Sequence, residues 1–136
     1  MRSGKGTLRA VRIRTLIPAL TLVVLAGCGG DIAAEAEVRG VVTAFGAATA
    51  KKDYQKICDE LLAQALVDNA EQYGLPCEVA IKQGLGKVQA PRLTISAVTV
   101  KGDRASARVK TGAKSQFNAT ETLKLRRVDD EWRISG

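Results

Sequence analysis

The sequence predicts an α+β fold in which N-terminal helices pack on a four-stranded antiparallel sheet. Apolar residues recur at helical spacing between residues 31 and 81, they alternate with polar residues after Pro91, and short turns separate the alternating segments. Turns this short join antiparallel neighbours, and helices followed by strands are typical of α+β domains. The length of 136 residues fits one domain of ordinary size.

The first helix is predicted to begin at Asp31 and to end near Lys51 and Lys52. Aspartate is a good N-cap, and lysines near a C-terminus complement the helix dipole. After Val38 the apolar residues follow at steps of three and four, which places them on one face. The predicted apolar positions are Ile32, Val38, Val41, Val42, Phe45 and Ala48.

Two shorter helices are predicted next. Asp53 is the expected cap of the second helix, and Gly74 and Pro76 interrupt the pattern after it. A third helix follows Pro76 and is expected to end at Gly84 and Gly86. The predicted buried side of the second helix consists of Tyr54, Ile57, Cys58, Leu61, Leu62 and Leu66.

Four strands are predicted after Pro91. Residues 92–100 are rich in β-branched side chains, which favour strands. Alternating segments follow at residues 105–110 and 117–126, and the last strand places Trp132 and Ile134 in the core. One face of the third strand carries Phe117, Ala119, Glu121, Leu123 and Leu125.

Composition excludes several function classes. Histidine is absent, which removes Ser-His-Asp triads, Cys-His pairs and histidine-ligated metal sites. Five basic residues precede Cys28, and the remainder carries sixteen basic and fourteen acidic side chains. With so weak a charge and so few aromatic residues, no nucleic-acid partner is expected. We interpret the third-strand cluster of Lys124, Arg126 and Arg127 as solvated strand charges rather than as a surface for anionic lipid or cell-wall polymer.

The N-terminal segment has the features of an export signal. Residues 1–14 are basic, and residues 16–26 form an apolar run of 11 residues. A membrane-spanning helix needs about 20 apolar residues, so this run is too short for a permanent span.

The apolar run ends in Leu25-Ala26-Gly27-Cys28, which resembles the lipobox of bacterial lipoproteins. The resemblance implies lipidation of Cys28 and cleavage before it. The expected organisation is then a signal peptide (1–27), a lipidated tether (28–30) and a domain (31–136). The protein would be anchored to the extracytoplasmic face of the cell membrane. The alternatives are an ordinary secretion signal with an accidental cysteine, or an uncleaved anchor.

Lipidation of Cys28 leaves two cysteines, Cys58 and Cys77. An oxidising extracytoplasmic space favours a disulfide between them. The alternatives are a redox-active pair, which lacks the usual Cys-x-x-Cys spacing, and a zinc site, which would be short of ligands. We therefore predict a structural disulfide and no metal site.

The domain also resembles the NTF2-like (cystatin-like) superfamily, in which a curved antiparallel sheet wraps a long N-terminal helix. The resemblance covers residues 31–136 and rests on the segments KDYQKIC (52–58), LPCE (75–78) and EWRI (131–134). In small lipoproteins of this superfamily, a cysteine like Cys58 often pairs with one like Cys77. The resemblance implies a cavity between the helix and the sheet.

Glu121 is the one candidate catalytic residue, because its strand parity would aim it into that cavity as a general base. The alternatives, which we favour, are that it lies near an open rim or that a β-bulge turns it outward. Tyr54 and Tyr73 are possible phenol donors, although packing and loop positions suit them better. We expect a non-enzymatic domain without a cofactor that binds an envelope protein or a small apolar ligand. An envelope enzyme or a small-ligand carrier that uses the cavity carboxylate is the alternative.

Overall fold

The computed structural model describes residues 29–114 and 118–136. The predicted signal peptide, Cys28 and Phe117 lie outside these residues. The helical part of the described chain comprises α1 (Gly29–Lys51), α2 (Tyr54–Lys56), a π-helical segment that continues α2 (Ile57–Leu61), α3 (Gln64–Gln72) and α4 (Cys77–Leu85). No helix of the described residues is long and apolar enough to cross a membrane.

The strands follow the helices and form one antiparallel sheet. They are β1 (Arg92–Lys101), β2 (Arg104–Gly112), β3 (Ala119–Val128) and β4 (Glu131–Ile134). Each strand pairs with the next along the chain, so the order in the sheet is β1-β2-β3-β4. The predicted α+β architecture and its four-stranded antiparallel arrangement are confirmed.

The core lies between α1 and one face of the sheet, which we call the inner face. Val38 and Val42 of α1 are completely buried, and so are Ala107 and Val109 of β2. They belong to one apolar cluster that also contains Leu125. Full burial of a valine or leucine side chain stabilises the fold by about 2 kcal/mol relative to exposure. This packing makes α1 and the sheet one unit.

The start of α1 differs from the prediction. The helix begins at Gly29, so Asp31 lies in its first turn, and Gly29 and Gly30 are helical. The first N–H groups of a helix need no intrahelical acceptor, which lets weak helix formers occupy this turn. Ile32 is 71% exposed, and its predicted place on the apolar face is wrong. It precedes Val38 by six residues, which turns it off the buried stripe, and Ala34 is buried instead.

The second predicted helix is divided in two. Asp53 caps α2 as predicted, and its Oδ1 accepts a hydrogen bond from the Lys56 backbone N–H at 3.1 Å. The π-helical segment then stops at Leu62, whose backbone is extended. Leu62 forms a parallel bridge with Ile134, and the Ala63 N–H donates to the Ile134 carbonyl at 2.8 Å. Pairing with β4 therefore replaces continuation of the helix to Leu66.

Two further differences concern α4 and β1. Gly84 lies inside α4, which ends one residue before Gly86. β1 contains a bulge at Ser96, because Ile95 pairs with Val109 and Ala97 pairs with the preceding residue, Arg108. A bulge inserts one residue and reverses the strand's parity. As a result, the pairs on both sides of the bulge face the core: Leu93, Ile95, Val98 and Val100.

A disulfide joins Cys58 and Cys77, the pair that the sequence predicts. Cys58 belongs to the π-helical segment, and Cys77 is the first residue of α4. Both are buried, and their Cα atoms are 6.1 Å apart. The bond attaches α4 to the segment that pairs with β4.

Removing this disulfide should destabilise the domain. The chain-entropy model gives about 3 kcal/mol for a loop of this length. We expect Cys58→Ser with Cys77→Ser to lower the free energy of unfolding in urea by about that amount. Alkylation of the native protein without reductant should leave both cysteines unmodified. Free labelling of Cys58 and Cys77, or an unchanged unfolding free energy, would contradict the structural role.

Candidate functional site

A cavity of about 360 Å³ opens between the C-terminal half of α1, the end of α4 and the sheet. Its walls are mainly apolar and include Phe45, Leu85, Leu93 and Leu123. Gly46 also lines it, and a Cβ atom placed there would lie 3.2 Å from the Leu93 Cβ. Glycine at this position therefore allows α1 to approach β1 closely.

Glu121 lines the cavity, as its strand parity predicts. It pairs with Val109 across β2 and β3, and Val109 is completely buried on the inner face. Glu121 itself is exposed, because it lies near the start of β3 at the mouth of the cavity. Glu121 thus lies at the open rim of the cavity. Among the described residues, no hydrogen bond or ion pair holds its carboxylate.

The possible proton-transfer partners of Glu121 are elsewhere. Tyr54 is half-buried against the core, and Tyr73 is 80% exposed after α3; neither lines the cavity. The Thr49 hydroxyl, which does line it, donates to the Phe45 carbonyl at 2.8 Å. Arg92, at the start of β1, borders the cavity, but its strand parity turns its side chain towards the opposite face of the sheet from Leu93. In the described chain, the cavity thus contains one carboxylate, that of Glu121, and no acid–tyrosine pair.

Trp132 is a core residue, as predicted, and is 3% exposed. The Arg127 guanidinium lies 5.1 Å from the centre of its ring, within cation–π distance. Arg127 also donates to Glu37 of α1 at 2.9 Å. Arg127 therefore faces the inner side of the sheet and connects α1, β3 and β4, so it does not belong with Lys124 and Arg126.

A second, more open groove of about 610 Å³ lies beside Trp132 and is bordered by α1, the π-helical segment and β4. The charged residues that border it are largely paired. Lys56 bonds Glu60, Arg133 bonds Glu131, and Glu37 bonds Arg127. The Lys56 ammonium donates a hydrogen bond to the Glu60 carboxylate, and this bond raises the pKa of Lys56. In each of these pairs, one charge offsets the other. In the described part of the chain, no group of three potential ligands is arranged to hold a metal ion.

Comparisons with known proteins identify the fold. No protein-family model matches the sequence, and no curated protein is similar enough to match it. An NTF2-like protein of unknown function from Shewanella baltica OS155 is similar in structure, with a TM-score of 0.54 and 18% identity over 76% of this chain and 90% of that chain.

Two further structures agree with this assignment. An NTF-2 like protein of unknown function from Silicibacter pomeroyi DSS-3 has a TM-score of 0.54 and 18% identity over 74% of this chain and 89% of that chain. A de novo designed NTF2 fold protein has a TM-score of 0.50 and 16% identity over 75% of this chain and 84% of its own. The domain therefore has an NTF2-like fold. Identities this low show the fold alone.

The sequence indicated only part of this site. Parity placed Glu121 correctly, but the contributions of Gly46, Leu93 and Arg92 were missed. Gly46 carried a usable signal, because glycine is unfavourable inside a helix unless a neighbour approaches closely. Leu93 and Arg92 carried none, since they come near α1 only through the tertiary fold.

Proposed function

We propose that this protein is a lipoprotein, anchored through Cys28 to the extracytoplasmic face of the membrane, whose NTF2-like domain binds a small, mostly apolar ligand. The observation that carries the proposal is the order of features at the N-terminus. A basic segment is followed by a short apolar run that ends in Leu-Ala-Gly-Cys. This order satisfies the physical requirements of export and of lipid transfer together.

The chemistry of acylation and of the other two cysteines supports the anchor. Each acyl methylene buried in a bilayer contributes about 0.8 kcal/mol, and two chains are enough for stable attachment. Disulfides such as Cys58–Cys77 form and persist in oxidising compartments outside the cytosol. The cleaved chain would begin at Cys28, immediately before the first residue of α1.

The cavity supports the binding role. Ligand sites in proteins are concave, mostly apolar and about 300–1,000 Å³ in volume, with a few polar groups that orient the ligand. The cavity between α1 and the sheet meets these criteria, with Glu121 as its charged side chain. A ligand with an apolar body and a polar end would bury the body against Leu93 and Leu123 and leave its polar end near Glu121. No cofactor is part of this proposal.

An enzyme that uses Glu121 as a general base is the second candidate, because Glu121 does line the cavity. Two observations favour binding over catalysis. Its carboxylate is exposed to water, and the described walls offer no tyrosine hydroxyl to share a proton transfer. Glu121→Gln distinguishes the two roles, because it keeps the shape of the cavity and removes the base.

The anchor is tested by substituting its attachment atom. We expect cells that express Cys28→Ser to incorporate no fatty acid into the protein and to release it from the membrane fraction. Thr43→Ser is the control, because it introduces a serine at an exposed position of α1 and should keep the acyl label. Intact mass spectrometry should give a chain that begins at residue 28 with added acyl mass. Labelling of Cys28→Ser, or a different first residue, would contradict the proposal.

The binding role is tested with N-phenyl-1-naphthylamine, an uncharged apolar probe whose size suits the cavity. We expect Leu123→Trp, which fills the cavity, to weaken its binding about ten-fold or more in calorimetry. Val128→Trp is the matched control on the same strand, at an exposed position away from the cavity, and should change affinity less than about two-fold. Glu121→Gln should retain binding of the probe. Equal losses in both tryptophan variants, or no binding by the parent protein, would exclude the cavity as the site.

A further inference from the structure

The outer face of the sheet, which points away from α1, carries a row of four basic side chains. Lys101 of β1 lies opposite Arg104 of β2. Arg104 lies opposite Arg126, and Arg126 lies opposite Arg133. Residues directly opposite one another in a sheet have Cβ atoms about 5 Å apart. The four positions, which we call the basic row, therefore cross all four strands as one line, and at its edge the Arg133 guanidinium also donates to the Asp59 carbonyl at 2.8 Å.

With one exception, the remaining outer-face positions are also basic or neutral. Because side chains alternate between the two faces, every second residue of a strand faces outward, with the phase shifted at the β1 bulge. In the described strands, Glu131 is the one outward carboxylate, and the Arg133 guanidinium donates to it at 2.6 Å. Four further basic side chains share this face, all of them exposed: Arg92, Arg108, Lys110 and Lys124. We call the whole surface the basic face.

Charge is thus strongly segregated in this domain. The basic face has eight basic side chains and one acidic side chain, whereas the rest of the chain after residue 28 has eight basic and thirteen acidic. The carboxylates nearest the basic row along the chain belong to the turns, at Asp103, Asp129 and Asp130. The net charge of the chain after residue 28 is therefore small, although the basic face alone has a net charge of about seven positive charges. This segregation follows from strand parity. It was missed in the sequence, where the inward-facing Arg127 was grouped with Lys124 and Arg126.

The basic row costs stability in the isolated domain. Like charges directly opposite one another on neighbouring strands repel and are destabilising. At physiological salt the screening length is about 8 Å, so neighbours about 5 Å apart are incompletely screened. In the described structure, Lys101, Arg104 and Arg126 have no ion-pair partner that would offset this repulsion. An anionic surface held against the face would supply the missing counter-charge.

The basic row lies at the same end of the sheet as the start of α1. Arg127, next to the row, bonds Glu37 of α1 at 2.9 Å, and its N–H donates to the Asp103 carbonyl at the β1–β2 turn. From Glu37 the helix runs back eight residues to Gly29. At 1.5 Å per residue, this is about 12 Å. The start of α1 and the basic row therefore lie at the same end of the sheet.

We propose that the basic face binds the anionic phospholipid headgroups of the membrane that holds the anchor. The inference rests on the proposed anchoring for its location. Basic residues beside an anionic bilayer each strengthen binding about five-fold, and their contributions accumulate over a face of this size. A second copy of this face would be repelled by its charge. Nucleic acid is disfavoured, because the outward positions of the described strands contain no aromatic side chain for base stacking.

The test uses the full chain with Cys28→Ser, so that no acyl group contributes to binding. Vesicles of phosphatidylcholine with or without about 30% phosphatidylglycerol are compared at low and high salt. We expect Lys101→Gln with Lys124→Gln to weaken binding to the anionic vesicles about 20-fold. Lys82→Gln with Lys87→Gln removes the same charge from exposed positions off the basic face and should change binding less than about two-fold. Higher salt should weaken binding of the parent chain.

Equal weakening by the two double variants would overturn the proposal, because net charge and not the face would then be responsible. Binding of poly(glycerol phosphate) without binding of anionic vesicles would overturn it in favour of a wall polymer. The absence of acyl mass at Cys28 would instead refute the lipid anchor. The vesicle experiment does not depend on the anchor, because it uses Cys28→Ser.

If the apolar N-terminal segment inserts into vesicles of both compositions, every variant binds and their affinities do not differ. A second measurement serves in this case. Acetylation of Lys101 and Lys124 should then be slowed several-fold by phosphatidylglycerol, while acetylation of Lys82 and Lys87 stays unchanged. Uniform acetylation would overturn the proposal.

A third measurement separates binding from a structural role. Arg126→Gln should raise Tm by about 2 °C, because it relieves the repulsion in the row, while it weakens vesicle binding. A lower Tm would contradict the repulsion that the proposal invokes.

Discussion

The packing of the apolar stripe of α1 on the inner face of the sheet is the interaction on which the rest of the structure depends. Val38 and Val42 meet the buried side chains of β2 and β3, and this contact decides which face of each strand is covered. Towards the C-terminal end of α1, Gly46 lies close to Leu93 of β1, and a cavity remains beside this contact between α1, α4 and the sheet. The opposite face of the sheet is exposed to solvent and carries the basic residues. One contact thus defines both candidate surfaces.

Much of the fold was predictable from local signals. The spacing of apolar residues after Val38 is that of one helical face, and alternation after Pro91 gave four strands in the correct order. Asp53 was recognisable as a cap because its side chain acts on its own neighbours. The Cys58–Cys77 pairing followed from the number of cysteines and the expected compartment. In each case a local pattern or a count was sufficient.

The features that were missed depend on contacts between segments distant in sequence. Leu62 leaves the helix because it pairs with Ile134, which lies 72 positions later and gives no local signal. The bulge at Ser96 was partly visible, since the apolar pairs around it are out of phase for a regular strand. The exposure of Glu121 depends on where the rim of the cavity falls. The basic row appears only when the register of all four strands is known.

The most direct test of this account compares two neighbouring residues of β2. Ala107 is completely buried on the inner face, and Arg108 is exposed on the outer face. Ala107→Asp should lower the free energy of unfolding in urea by more than about 3 kcal/mol or prevent folding, because it buries an unpaired charge. Arg108→Asp should change the same free energy by less than about 1 kcal/mol. Equal losses, or a larger loss for Arg108→Asp, would contradict the packing of α1 on this face.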